Sequence, residues 1–311
     1  MIICPKCNTS NHENYNYCYN CAYPLKDYIK NKELTKLMGI SLGYEMLSMF
    51  DKVIEIYENI LKEKPHYADV RYKLALIYEL QSRYDKAIDH LKKALSINPD
   101  YIQARNKLAD ILITLGKYED ALIEYKTLLS TKIRYNFADV YNNIGFIYEK
   151  LGNTKQAKSY YQKSISLNPK FAKPYYNLGN VLFLKGNIEE AILYYNKAIN
   201  LNLNIPEVYN NLALAYYKLG KIDLAEENLK KAISINETFF DAYYNLTLLY
   251  IQTNQFKKAY EIFEKIKQKF PPNYDINYLE KSLQKKYKEK IKKESLNNLE
   301  NNINNQNEKN F

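Results

Sequence analysis

One small residue recurs along this chain at an interval that few folds tolerate. Ala87, Ala121, Ala157, Ala191, Ala225 and Ala259 are separated by 34, 36, 34, 34 and 34 residues, and Val53 holds the same place one step earlier. A second column upstream of it reads Ile40, Leu74, Leu108, Ile144, Leu178, Leu212 and Leu246. Each of these is followed by a small residue: Ser41, Ala75, Ala109, Gly145, Gly179, Ala213 and Thr247. Two columns are mostly tyrosine, Tyr44, Tyr78, Leu112, Tyr148, Leu182, Tyr216 and Tyr250, then Tyr57, Leu91, Tyr125, Tyr161, Tyr195, Leu229 and Phe263. A unit this short cannot bury its own apolar face, so its copies must stack on one another.

Within a unit the apolar spacing is helical twice over. Tyr175, Leu178 and Leu182 fall at steps of three and four, Lys185-Gly186-Asn187 interrupts them, and Ile188, Ala191, Ile192, Tyr195 and Ile199 resume the pattern. The interruption is itself a column of turn formers, Ser48, Ser82, Gly116, Gly152, Gly186, Gly220 and Asn254. Pro65, Pro99, Pro169 and Pro271 close four of the units, where Ile133, Leu203 and Glu237 stand in the other three. With only 8 Gly and 9 Pro among 311 residues, a sandwich or barrel rich in tight turns is excluded.

These columns resemble the tetratricopeptide repeat, 34 residues of helix-turn-helix, with Leu, Arg or Tyr in place of the family's leading Trp. The resemblance implies an all-α fold, a right-handed α-solenoid of seven repeats over 34–67, 68–101, 102–137, 138–171, 172–205, 206–239 and 240–273. Ile276, Leu279, Leu283, Tyr287 and Ile291 then form a helical apolar stripe, and 274–294 is expected to be a capping helix that covers the last repeat. The Asn-rich stretch 295–311 is too polar to bury a core and is expected to be disordered.

All four cysteines lie ahead of the repeats, in Cys4-Pro5-Lys6-Cys7 and Cys18-Tyr19-Asn20-Cys21. Two residues between thiolates let one turn aim both sulfurs at a metal, and two such turns complete a closed tetrahedral Zn²⁺ site. A pair of disulfides is the competing reading, and a reducing compartment favours the metal. The segment 1–25 resembles a short zinc ribbon with Tyr17 in the aromatic place before the second pair, although Asn8 and Ala22 stand where Gly is usual. A linker, 26–33, would join it to the repeats. Chelation is expected to unfold this module and leave the helices intact.

The chain opens without a secretory signal and holds no apolar run long enough to span a membrane, so a cytoplasmic location is expected. Outside the ribbon and repeats there is no room for a catalytic domain. No phosphate-binding Gly loop or Ser/His/Asp set appears, and no small-molecule substrate is evident. His66 and His90 fall on repeat surfaces and are expected to be solvated.

The resemblance implies a concave groove lined by the first helix of each repeat, binding a partner's extended segment or helix. One column of that helix reads Asn143, Asn177, Asn211 and Asn245, and beside it lie Asn142, Tyr176, Asn180, Asn210, Tyr217 and Tyr244. An Asn amide both donates and accepts, so a row of them can read a bound backbone, similar to the asparagine ladder of O-linked N-acetylglucosamine transferase. Duplication of a neutral Asn would produce the same column. The family's carboxylate clamp is not met, since Tyr176, Asp241 and Asn245 stand in its basic places. A formal charge of +10 and the run Lys281, Lys285, Lys286, Lys288, Lys290, Lys292 and Lys293 permit nucleic-acid binding without requiring it. The chain therefore reads as a non-enzymatic protein-interaction scaffold. A nucleic-acid-associated factor and a recruiting subunit of a transferase are the alternatives.

Overall fold

A computed structural model of the chain describes residues 2–3, 6–7, 9–11, 18, 20–21, 49–131, 137–271 and 276–289. Cys4, the linker 26–33, the first helix of the first repeat and the tail 295–311 lie outside the described residues. Strands β1 (Ile2–Ile3) and β2 (Ser10–Asn11) pair antiparallel, with Ile2 opposite Asn11. Helices then follow one another to the end of the described chain. They are α1 (Phe50–Glu63), α2 (Ala68–Leu80), α3 (Tyr84–Ile97), α4 (Ile102–Thr114), α5 (Tyr118–Ser130) and α6 (Ala138–Lys150). Next come α7 (Thr154–Leu167), α8 (Ala172–Leu184), α9 (Ile188–Asn200), α10 (Pro206–Lys218), α11 (Ile222–Ile235), α12 (Phe240–Gln252) and α13 (Phe256–Lys269). Residues 276–289 form α14. The chain divides into two compact units, Met1–Asn153 and Thr154–Phe311.

Each hairpin is closed the same way. The Gly116 N–H donates to the Ile113 carbonyl and the Lys117 N–H to the Leu112 carbonyl, at 2.9 and 2.8 Å. This pair of bonds satisfies orphan carbonyls at a helix end and needs a left-handed residue between them. Gly116, Gly152, Gly186 and Gly220 supply it with φ of 71–83°, and Ser82 and Asn254 adopt φ 57° in their place.

The sequence columns are the buried columns. Ala87, Ala121, Ala157, Ala191, Ala225 and Ala259 are wholly buried, and so close to it are Leu74, Leu108, Ile144, Leu178, Leu212 and Leu246. The small alanines bring the helix axes together, and each buried Leu or Ile contributes about 1.5–3 kcal/mol. Within the second unit, α14 inserts Ile276, Leu279 and Leu283 into the core shared by α12 and α13. Tyr287 of α14 meets Phe256 edge to face at 5.7 Å.

Candidate metal and partner-binding sites

The cysteines of the first unit converge. The Sγ atoms of Cys7, Cys18 and Cys21 lie within 4.8 Å of one another, and Cys7 and Cys18 are 3.5 Å apart. Thiolates around one ion at about 2.3 Å sit about 3.8 Å from each other, whereas a disulfide holds its sulfurs at about 2.0 Å. All three are free thiols. Burial pushes the Cys7 thiol up, but hydrogen bonds with Thr9, whose Oγ1 is 3.0 Å away, and with Cys21 and Cys18 outweigh it and bring it down to about 6. The donor set is therefore one that could hold a metal ion, with a thiolate already formed at neutral pH.

This cluster is docked on the second repeat. The Lys6 ammonium lies 3.2 Å from the Asp69 carboxylate, which is only 2% exposed. The Tyr101 hydroxyl, equally buried, donates to the Cys21 carbonyl at 3.2 Å. Burial, and then the Asp69 charge, raise the Tyr101 phenol well above its ordinary value, so it stays a donor. The sequence expectation of an independent ribbon did not anticipate these contacts, because no period links residues sixty to eighty positions apart.

The asparagine column is engaged within the fold. Asn143 Nδ2 donates to Tyr125 Oη at 2.9 Å, and the Tyr125 hydroxyl bonds Asp110. Asn211 Nδ2 lies 3.0 Å from Asn180 Oδ1 and 3.2 Å from Tyr176 Oη, while the Tyr195 hydroxyl donates to the same Asn180 oxygen at 2.9 Å. Asn142, Asn177 and Asn210 are buried rather than presented to a groove. The Nδ2 groups of Asn142 and Asn210 donate to the carbonyls of Asn143 and Asn211 at 3.2 and 3.3 Å. Asn143, Asn211 and Asn245 thereby tie their repeats to the preceding ones, a role the spacing alone could not separate from ligand reading.

Asn245 differs. Its Nδ2 donates to Asn210 Oδ1 at 2.8 Å, and the residue lines a cavity. That cavity, of about 160 Å³ and open on one side, is lined by α10, α11 and α12 through Ala213, Leu214, Tyr217, Ala225, Leu229, Asn245, Leu248, Leu249 and Gln252. Tyr217 is 38% exposed at its edge, and Tyr244 is half-buried one residue before Asn245. The sequence reading named Tyr217, Tyr244 and Asn245 but passed over Leu229. The available signal was Leu229 breaking a run of three tyrosines in its column.

On α14, Lys281, Lys285, Lys286 and Lys288 are exposed, and Lys290, Lys292 and Lys293 lie outside the described residues. His66 is exposed, but His90 is only partly so, not the solvated side chain expected. Its ring stacks on Tyr78 at 5.6 Å and its Nδ1 is buried without a partner; burial lowers its pKa. No helix among the described residues is long and apolar enough to cross a membrane.

Comparison with known proteins agrees with this geometry. A tetratricopeptide repeat family model matches residues 68–101, 138–171 and 206–239. Further models of the same repeat match 90–123, 160–192 and 241–273, and a TPR repeat model matches 179–220. No protein of curated function matches the chain significantly in sequence. Among solved structures, the chain is similar to the Cut9–Hcn1 hetero-tetramer of the APC/C. The TM-score is 0.64 at 19% identity, over 83% of this chain and 50% of that one. The chain thus spans half the length of that relative. A tetratricopeptide repeat protein from Parabacteroides merdae gives a TM-score of 0.64 at 20% identity, over 80% and 98% of the two chains. PilW, a type IV pilus biogenesis factor, gives 0.58 at 20%, over 67% and 96%. At these identities the likeness is one of fold.

Proposed function

The chain belongs to the tetratricopeptide repeat family, and we propose that it is a non-enzymatic scaffold that holds a partner protein against the first helices of its repeats. Repeats of this kind generally serve as interaction platforms, because stacked hairpins present a long surface with no reactive centre of their own. The observation that carries the reading is the cavity between α10, α11 and α12. It is apolar inside and carries Asn245 and Gln252 at its edge, the composition of a site that anchors a side chain while polar groups orient the backbone. On α8 the exposed Leu184 occupies the place that Gln252 holds on α12, two repeats later, and offers an apolar side chain in the fifth repeat.

The cysteine cluster is read as a structural Zn²⁺ site. Cys7, Cys18 and Cys21 would supply three thiolates and Cys4 the fourth, leaving no open position, and the ion would fix the chain ends that carry Lys6 and the Cys21 carbonyl. A cytoplasmic location, where thiols stay reduced and available to a metal, fits this reading.

The test is affinity capture of the intact protein from its own cells, with and without nuclease, alongside the Leu184→Ala/Tyr217→Ala double variant. The expected result is protein partners that survive nuclease and are retained at least fivefold less by the variant. Retention that disappears with nuclease would overturn the scaffold reading in favour of nucleic acid.

A further inference from the structure

The cavity is lined by Leu229, at the position where five of the seven repeats place an aromatic ring and the second, like the sixth, places a leucine, Leu91. Tyr125 in the third repeat and Tyr195 in the fifth are buried between the hairpin and the following repeat. Each hydroxyl bonds a polar residue on the groove side of the first helix, Asp110 or Asn180. The asparagine of the next repeat completes the arrangement, Asn143 bonding Tyr125 directly and Asn211 bonding Asn180. In the sixth repeat the corresponding residues are Leu229, Leu214 and Asn245. The ring is gone, its acceptor is a leucine, and the asparagine remains with a carbonyl that makes no hydrogen bond among the described residues. What is left is a cavity of about 160 Å³. An apolar cavity of about 150 Å³ is large enough to bind benzene.

Resting on the scaffold reading, we propose that this cavity takes the phenol ring of a partner's tyrosine, supplied in trans where repeats three and five supply it in cis. The ring lies between Leu214, Leu229 and Leu248, and its hydroxyl donates to Asn245 Oδ1. Charge selects the rest of the segment. Glu207 and Asp241 are exposed and in no ion pair among the described residues. They stand seven residues before Leu214 and Leu248 on the same helical stripes, about 10 Å along the axis. A basic residue about three positions from the tyrosine in an extended segment meets them. The partner is therefore a protein segment that pairs a tyrosine with a nearby Lys or Arg.

The probe is p-cresol, the tyrosine side chain itself, titrated into the full chain while the leucine methyl resonances are followed. Saturable shifts at Leu214, Leu229, Leu248 and Leu249 are expected, at least tenfold weaker in Leu229→Tyr, whose own ring occupies the space. Toluene, which lacks the hydroxyl, should bind several-fold more weakly than p-cresol. Circular dichroism checks that Leu229→Tyr folds, and Leu248→Phe fills the same space from α12 if it does not. Absence of saturable shifts in the unaltered protein, or equal shifts in the filled variants, would overturn the proposal. So would captured partners that need Tyr217 yet bind Leu229→Tyr as tightly as the parent, an outcome that leaves the scaffold reading standing.

Discussion

Asp110 and Asn180 hold the same place in their repeats and accept from the same tyrosine hydroxyl, so the difference between them isolates the effect of one charge. Burial raises the Asp110 carboxyl, and the Tyr125 hydrogen bond only partly opposes it. A carboxylate whose native pKa lies above its unfolded value binds protons more readily in the fold, so stability rises as pH falls through that window. Asp110→Asn should therefore be more stable than the parent at pH 7 by about 1 kcal/mol, with the gap closing towards pH ~4. Urea unfolding at the two pH values measures this, and a parent that is the more stable at pH 7 would contradict it. Gly179 makes a steric argument of the same locality. A Cβ there would lie 2.6 Å from Cε1 of Tyr195, whose ring is 1% exposed and pinned by Asn180. Gly179→Ala should cost about 1–3 kcal/mol, read from the same urea midpoint, because this ring has nowhere to move.

At the scale of the helical hairpin, the six turns between paired helices act as replicas of one experiment. Ser82 makes the same two closing bonds as Gly116, 2.8 Å each, yet adopts φ 57° with a side chain that disfavours it. Ser82→Gly should stabilise by about 0.5–1 kcal/mol and Gly116→Ser should destabilise by a similar amount, both measured by chemical denaturation. Loss of stability in Ser82→Gly would mean that the turn is held by something other than backbone conformation. The hairpins were legible because their determinants are local and periodic: the small residue after Leu178, the turn at Gly186 and the Ala191 crossing recur every 34 residues. The site was less legible. Asn143 and Asn245 are indistinguishable as letters in one column, and their neighbours decide what each amide does: Asn142 donates to the Asn143 carbonyl and Tyr125 accepts from its Nδ2, whereas Tyr244 and Leu229 stand in those places beside Asn245. His90 was misjudged for the same reason, since its stacking on Tyr78 follows from hairpin packing rather than from spacing.

Along the chain as a whole, the cysteine cluster and the repeats are coupled through two buried contacts that neither forms alone. Asp69 is 2% exposed and has the Lys6 ammonium as its ion-pair partner, and the buried Tyr101 hydroxyl has the Cys21 carbonyl as its acceptor. Losing Lys6 removes the ion-pair partner of Asp69, at a cost that is limited because burial favours protonation of that carboxyl, and an orphaned buried hydroxyl costs about 1–3 kcal/mol. If a metal ion holds Cys7, Cys18 and Cys21 together, its removal releases Lys6 and the Cys21 carbonyl, so Tyr101 loses its acceptor and the buried Asp69, whose carboxyl burial already raises, keeps only the Lys73 charge and the Val70 N–H. Chelation should then lower the midpoint of helical unfolding by several degrees and speed amide exchange in α2, although the cluster itself contributes no helix among the described residues. Lys6→Ala should reproduce part of the loss with the metal still bound, which separates the docking contact from the metal's own folding energy. An unchanged midpoint and unchanged exchange in α2 after chelation would return the cluster to an independent module. The expected coupling instead makes metal content a determinant of the second repeat's stability.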